Sequence, residues 1–410
     1  MRSTITFSFL GGALALTNNK IDYMNQKVLL NDACPSDSTA SKAANFPWSF
    51  WPECFSTEDK ENTYCVFSHQ GFASGRGIFI LTTEDFAYAM LDKPAFTNPE
   101  VLATVNQYDN PPFVQHEFPG KGRGLVANKT LHRGDEIFSS TPIIITDSDA
   151  YELPTSERLA LIHRGVETLP PDTQARFWAL MGHANGDPVD DRISTNNFDT
   201  MIDGVTQQTL FPELSMLNHD CRPNAAYFWD EQMMTHYIHA IRDIRPGEEI
   251  TITYTDNEKD RKTRLKRLEA NWGFKCACSA CTAHPELTAE SDSRLYQITH
   301  LGRTLDDWTS SSSATPEVAE LLISLYEQER LDANLATAYK YAAEAYSSFG
   351  RKWEAVKYAR LSVERSMLDK GFADGDVAEM KKMAENPEMT WSWKKRVGLT
   401  GKSCECGNAH

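Results

Sequence analysis

The 410-residue chain contains no apolar run of the roughly 20 residues that an α-helix needs to cross a bilayer, so no segment reads as a membrane span. Positive charge is scarce: 41 Lys and Arg against 57 Asp and Glu leave a net charge of −16. That argues against general nucleic-acid binding, which relies on clustered cations. The acidic balance suits attraction of a basic protein and equally serves solubility. There is a single N-x-[ST] sequon, Asn128-Lys129-Thr130. The rest is ordinary for a globular protein, 41% hydrophobic and 24% charged, over a length that accommodates two or three domains.

Chemistry-bearing residues are concentrated between Asn218 and Cys281. The stretch opens N-H-D-C-R-P-N (Asn218 to Asn224), passes G-E-E-I-T-I-T-Y (Gly247 to Tyr254) and ends F-K-C-A-C-S-A-C (Phe274 to Cys281). Cys276, Cys278 and Cys281 are close enough in sequence to share one ion, and structural zinc takes four ligands tetrahedrally. Cys221 is the expected fourth. Met233 to Ala240 and Glu249 to Tyr254 are strand-like, and Arg245-Pro246-Gly247 has turn chemistry, so the intervening chain reads as a returning β-hairpin. Two disulfides, or reduced structural thiols, are the alternatives to zinc.

In this order the motifs resemble the SET domain of protein lysine methyltransferases, and within them the SMYD-like branch. Upstream, Gly120-Lys121-Gly122-Arg123-Gly124-Leu125 followed by Ala127 to Phe138 is similar to that family's opening hairpin, and Asn196-Asn197-Phe198 to the element closing its inserted helical segment. The resemblance covers about residues 112 to 282. It departs in two places. Ile143-Ile144-Ile145 passes into Glu157 to Leu161 without the Cys/His cluster of a MYND finger, and Asp220 stands where the family usually has serine.

The resemblance implies a β-rich, knotted SET domain with a helical insert and a four-cysteine zinc post-SET segment; with a TPR-like helical region after it, the expected fold class is α+β. It implies S-adenosylmethionine-dependent methyl transfer to a lysine of a histone or another protein, with S-adenosylmethionine and Zn2+ as cofactors. Tyr254 takes the catalytic position and is also expected to contact the cofactor. Its phenol, with an ordinary pKa near ~10, is protonated at neutral pH and so is not a simple base. Lys121, Gly122, Arg123, Gly124, Leu125, Asn218 and His219 are expected at the cofactor, with Asn196 and Ser215 as secondary candidates. Phe274 is expected over the adenine, held there by the metal bound to Cys221, Cys276, Cys278 and Cys281. A SET fold that binds without catalysing, a secreted disulfide-rich binding protein, and a thiol redox role for C-x-C-x-x-C are the competing readings.

The expected organisation is a signal-like apolar segment at 1–20, an N-terminal extension with a hairpin at 21–110 and a SET domain at 111–257 with its insert at 147–205. The post-SET segment follows at 258–282, a helical domain at 283–400 and a tail at 401–410. The apolar run from about Ile5 to Leu16 ends in Ala13-Leu14-Ala15, a signal-peptide pattern that points to the secretory pathway, whereas the family points to cytoplasm or nucleus. Five cysteines remain, Cys34, Cys54, Cys65, Cys404 and Cys406, and an odd number cannot all pair within one chain. Cys54 with Cys65 is the disulfide expected of a secreted form. The apolar residues Leu159, Leu161, Ile162, Phe177, Trp178, Leu180 and Met181 read as core. Ala342 to Ala359 resembles a TPR helix-turn-helix. A monomer acting on a protein substrate, without direct nucleic-acid contact, is expected.

Overall fold

A computed structural model describes residues 46–59, 61–183 and 186–397. The signal-like segment, Cys34, Cys404 and Cys406 lie outside them.

β1 (Glu53–Ser56) is followed by two runs rich in β-branched and aromatic residues, β2 (Thr63–His69) and, after the short turn α1 (Phe72–Gly75), β3 (Ile78–Thr82). Cys54 and Cys65 face each other across β1 and β2 and form a disulfide. Two short helices, α2 (Glu84–Met90) and α3 (Pro94–Thr97), lead to β4 (Phe113–Phe118) and β5 (Gly122–Ala127), which pair as an antiparallel hairpin. β6 (Glu136–Ser140) and β7 (Ile144–Asp147) precede three helices: α4 (Thr155–Thr168), α5 (Pro171–Trp178) and α6 (Pro188–Asn196). The link between β7 and α4 contains no cysteine or histidine.

The chain returns as β8 (Asn197–Ile202) and β9 (Val205–Leu210), then β10 (Asn218–His219), β11 (Ala225–Asp230), β12 (Thr235–Ala240) and β13 (Glu249–Ile252). Helices follow: α7 (Arg261–Trp272), the single turn α8 (Ser279–Thr282), α9 (Pro285–Asp306), α10 (Pro316–Gln328), α11 (Leu335–Ser348), α12 (Lys352–Asp369) and α13 (Gly375–Glu385). Among the described residues no helix is long and apolar enough to cross a membrane.

The strands form three sheets, ordered β1-β2-β3-β7-β9-β8, β10-β13-β5-β4 and β11-β12-β6. The returning hairpin expected between Met233 and Tyr254 is therefore corrected. β12 pairs with β11 and β6, while β13 pairs with β10 and β5. The turn at Arg245-Pro246-Gly247 carries the chain from one sheet to another, and Leu131 bridges to Ile244 at the crossing.

Two cores support the sheets. Phe79 and Leu81 of the first sheet meet Leu161, Ile162 and Phe177 from α4 and α5. Gly165 lets α4 approach, because a Cβ there would sit 2.6 Å from the Phe79 ring. The reading of the insert's apolar residues as core holds for Leu161, Ile162, Phe177 and Leu180, but Trp178 and Met181 are 44% and 61% exposed. Trp178 instead lies beneath the Arg192 guanidinium. The second core joins Leu125, Phe211, Leu214, Leu217, Ile238 and Ile250 beneath the two smaller sheets. The C-terminal helices pack in succession around Leu322, Ala342, Tyr346 and Ala359.

Candidate active site and metal centre

β10 runs parallel to β13, with Asn218 opposite Thr251 and His219 opposite Ile252. This register brings Tyr254, two residues past β13, against the Asn-His pair. The Tyr254 backbone N–H donates to His219 Nδ1 at 3.0 Å, and its hydroxyl donates to the Leu217 carbonyl at 2.6 Å. Backbone and phenol are thus both anchored. Burial raises the Tyr254 pKa further, so the phenol stays protonated.

His219 is buried, and burial pushes its imidazole down to about 4, so the ring is neutral at physiological pH. Because Nδ1 accepts the Tyr254 hydrogen bond, the ring proton belongs on Nε2, which faces Cys221 Sγ at 3.3 Å. The ring therefore joins Tyr254 to the cysteine cluster, and neither nitrogen is left over for another partner. Asp220 accepts the Arg222 backbone N–H at 2.8 Å and shapes the turn that presents Cys221.

The Sγ atoms of Cys221, Cys276, Cys278 and Cys281 all lie within 4.8 Å of one another, and the Cys221–Cys281 separation is 3.5 Å. A tetrahedral zinc with Zn–S near ~2.3 Å sets thiolates roughly 3.8 Å apart, so the group has the dimensions of a four-thiolate site. None of the four is in a disulfide. Helix α7 delivers the last three: Asp260 caps its start by accepting from Thr263, and Gly273, in the left-handed region at φ 70°, ends it and turns the chain toward Cys276. Arg264 of α7 is 1% exposed and faces Cys221 and Cys281. Burial works against its charge, but the sulfurs outweigh it and raise its pKa. A buried cation here offsets the net negative charge that four thiolates leave around a divalent ion.

The β4–β5 hairpin meets the same region through Glu249, which was not singled out in the sequence. Asn218 Nδ2 donates to Glu249 Oε1 at 2.8 Å, and Lys121 Nζ bridges to Glu249 Oε2 at 2.8 Å. Gly124 packs directly beneath, because a Cβ there would sit 2.5 Å from Asn218 Nδ2. Gly122 takes φ +75° with open space beside it. Leu125 is buried opposite Ile250, whereas the Arg123 guanidinium turns to the Ala179 carbonyl of the insert. Asn196 donates to the carbonyls of Met181 and Arg192, both at 2.8 Å, and its own carbonyl accepts from Ser215 at 3.1 Å. Those two side chains are spent on the backbone of the insert and its exit.

Phe274 stands near both rings, with centroids 6.2 Å from His219 and 6.4 Å from Tyr254. Trp272, also not anticipated, is closer to Tyr254 at 5.2 Å. Its signal was an aromatic immediately before the helix-ending glycine. Arg264 gave no signal, since K-T-R-L-K-R reads as a solvated face. Beyond Tyr254, Phe198, Phe211, Tyr227, Trp229 and His236 form a contiguous aromatic group, and burial pushes His236 down to about 3.

The SET domain family profile matches residues 122–255, the span from the glycine hairpin to just past Tyr254. The chain thus carries a SET domain. It is 32% identical over 208 residues to the histone-lysine N-methyltransferase set5 of Schizosaccharomyces pombe, covering 49% of this chain and 60% of that protein. It is 40% identical over 87 residues to the protein-lysine N-trimethyltransferase SMYD5 of Homo sapiens, 20% of this chain and 21% of that one. The histone-lysine N-methyltransferase ASHR1 of Arabidopsis thaliana is 38% identical over 73 residues, 18% and 15% respectively. The matched region therefore spans about three fifths of the first relative, about a fifth of the second and less of the third.

Proposed function

We propose that the chain transfers a methyl group from S-adenosylmethionine to a lysine side chain of a protein, a histone or another. The observation that carries this reading is the anchoring of Tyr254 by His219 and Leu217 beside the glycine hairpin. The cofactor supplies, when bound, an electrophilic methyl on a sulfonium. Gly122 leaves open space for it, and the backbone of Lys121, Arg123, Gly124 and Leu125 continues that wall. Asn218, fixed by Glu249, and Phe274 complete the cradle; Asn196 and Ser215 support it through the backbone, and His219 through Tyr254.

The attacking lysine must be neutral, although its ordinary pKa is near ~10.4. The aromatic group of Phe198, Tyr227, Trp229 and His236 disfavours the ammonium form by excluding water. The Tyr254 proton is committed to Leu217, so its hydroxyl oxygen is the atom left to orient the amine. Zinc bound by Cys221, Cys276, Cys278 and Cys281 would hold Trp272 and Phe274 in place. The C-terminal helices would supply TPR-like pairs packed on the domain.

The test is incubation of purified protein with methyl-labelled cofactor and a mixed protein extract. A labelled band is expected with the parent chain. Tyr254→Phe keeps the ring and removes the hydroxyl, so it should bind cofactor normally and lose at least about 100-fold in turnover. Parent-level labelling by Tyr254→Phe would remove Tyr254 from the mechanism. No label from the parent with any extract, despite cofactor binding, would favour a non-catalytic SET module.

A further inference from the structure

Next to Tyr254 lies a cavity of about 410 Å³ whose wall includes Tyr227, Thr253, Thr255, Asn257, Asn334 and Asp369. It opens between the SET strands and the C-terminal helices, since Asn334 precedes α11 and Asp369 ends α12. Tyr227 and Thr253 tie it to the candidate active site. Thr253 is the residue before Tyr254, and Tyr227 is close enough to act electrostatically on the Tyr254 phenol.

Four polar side-chain atoms in this wall are buried without a hydrogen-bond partner: Thr255 Oγ1, Asn257 Nδ2, Asn334 Oδ1 and Asp369 Oδ1. Buried polar atoms are nearly always paired, so four orphans in one cavity call for an occupant. Asn257 is 2% exposed, and Arg222 holds its backbone by donating to its carbonyl at 3.3 Å. The Asn334 side chain also acts on the neighbouring Glu258 carboxyl, opposing the upward push that burial gives it. The two neighbouring lysines are committed elsewhere, Lys259 to Asp256 at 3.0 Å and Lys370 to Asp376 at 2.7 Å. The cavity thus offers a carboxylate oxygen and an amide oxygen without hydrogen-bond partners, and one free amide donor.

We propose that this cavity is a recognition subsite for an arginine of the protein substrate that flanks the target lysine. The guanidinium donates to Asp369 Oδ1 and Asn334 Oδ1, and Asn257 Nδ2 donates to a backbone carbonyl of the same segment. Arginine suits two separate acceptors because its donors are held in a rigid planar fork. Burial pushes the Asp369 carboxyl up to about 7, and a cation beside it restores the ionised form. The assignment rests on the methyl-transfer reading only for which molecule carries the arginine.

Two measurements on the full chain test it. In the first, acetyl-arginine methylamide and its citrulline counterpart are titrated and followed by saturation-transfer NMR. Saturable binding of the arginine compound is expected, with citrulline at least about tenfold weaker. Asp369→Asn, and independently Asn334→Leu, should weaken arginine binding by about tenfold while melting temperature and cofactor affinity stay at parent values. Absence of saturable arginine binding, equal affinity for citrulline, or binding untouched by both variants overturns the subsite and leaves the cavity to water. In the second, lysine-centred peptides carry arginine or citrulline at each flanking position. One position should favour arginine by about tenfold in kcat/KM, and Asp369→Asn should erase that preference. Asp369-dependent arginine binding without any peptide methylation would sink the catalytic reading and keep the subsite. Methylation with no flanking preference would do the reverse.

Discussion

Gly124 has no room for a methyl group. An added Cβ would meet Asn218 Nδ2 at 2.5 Å, Phe118 at 2.8 Å and Glu249 Oε1 at 3.1 Å, so Gly124→Ala must displace the side chain that links the hairpin to β10. We expect a stability loss of about 1–3 kcal/mol in urea denaturation, as for other overpacked sites. Calorimetric titration should show cofactor binding weakened as well. Unchanged affinity would mean that Asn218 does not hold the cofactor. The need for glycine was visible in K-G-R-G-L, but the neighbour that demands it was not, because Asn218 lies far along the chain. His219 shows the same limit. The motif pointed to the residue, whereas the use of its two nitrogens follows from a parallel register that no local pattern encodes.

At the level of elements, α7 and the loop after it decide whether the site exists. The helix cap at Asp260 and the left-handed Gly273 fix where Phe274 and the three clustered cysteines emerge. One zinc per chain is expected in purified protein by elemental analysis. Cys276→Ser should abolish it and lower both melting temperature and cofactor affinity, since Trp272 and Phe274 flank Tyr254 from this loop. Parent-level cofactor affinity in a metal-free form would separate the thiols from the cradle. The convergence of four cysteines was legible because three lie within six residues and N-H-D-C supplies the fourth. The pairing of β12 was not. Turn chemistry at Arg245-Pro246-Gly247 marks a reversal but does not say whether the chain stays in one sheet, and here it changes sheets.

Across the whole molecule, Arg222 binds the SET region to the C-terminal helices. Its guanidinium pairs with Glu329 Oε2 at 2.6 Å, both side chains are 4% exposed, and Glu329 also accepts from Ser291 and Arg294. Removing one partner of a buried pair typically costs about 3–5 kcal/mol, while replacing both by apolar residues costs far less. Arg222→Met and Glu329→Met should therefore each destabilise strongly, and the double variant by less than the sum, as read by urea denaturation. Strict additivity would mean that the pair contributes no coupling. The helices themselves were legible, above all in the run from Ala342 to Ala359, and Thr315 caps α10 by accepting from Val318. Their docking was not, because the charge of Arg222 says nothing about a partner 107 residues away. That separation also bears on how the protein is made. Synthesis at about 5–20 residues per second delays Glu329 by roughly 5–20 seconds after Arg222 leaves the ribosome. Through that interval the guanidinium lacks the Glu329 carboxylate, and for a little over its first half Cys221 waits for Cys281, 60 residues on. The four cysteines are therefore all made before the carboxylate that pairs with Arg222, so their group is complete in sequence while the contact to the C-terminal helices is not.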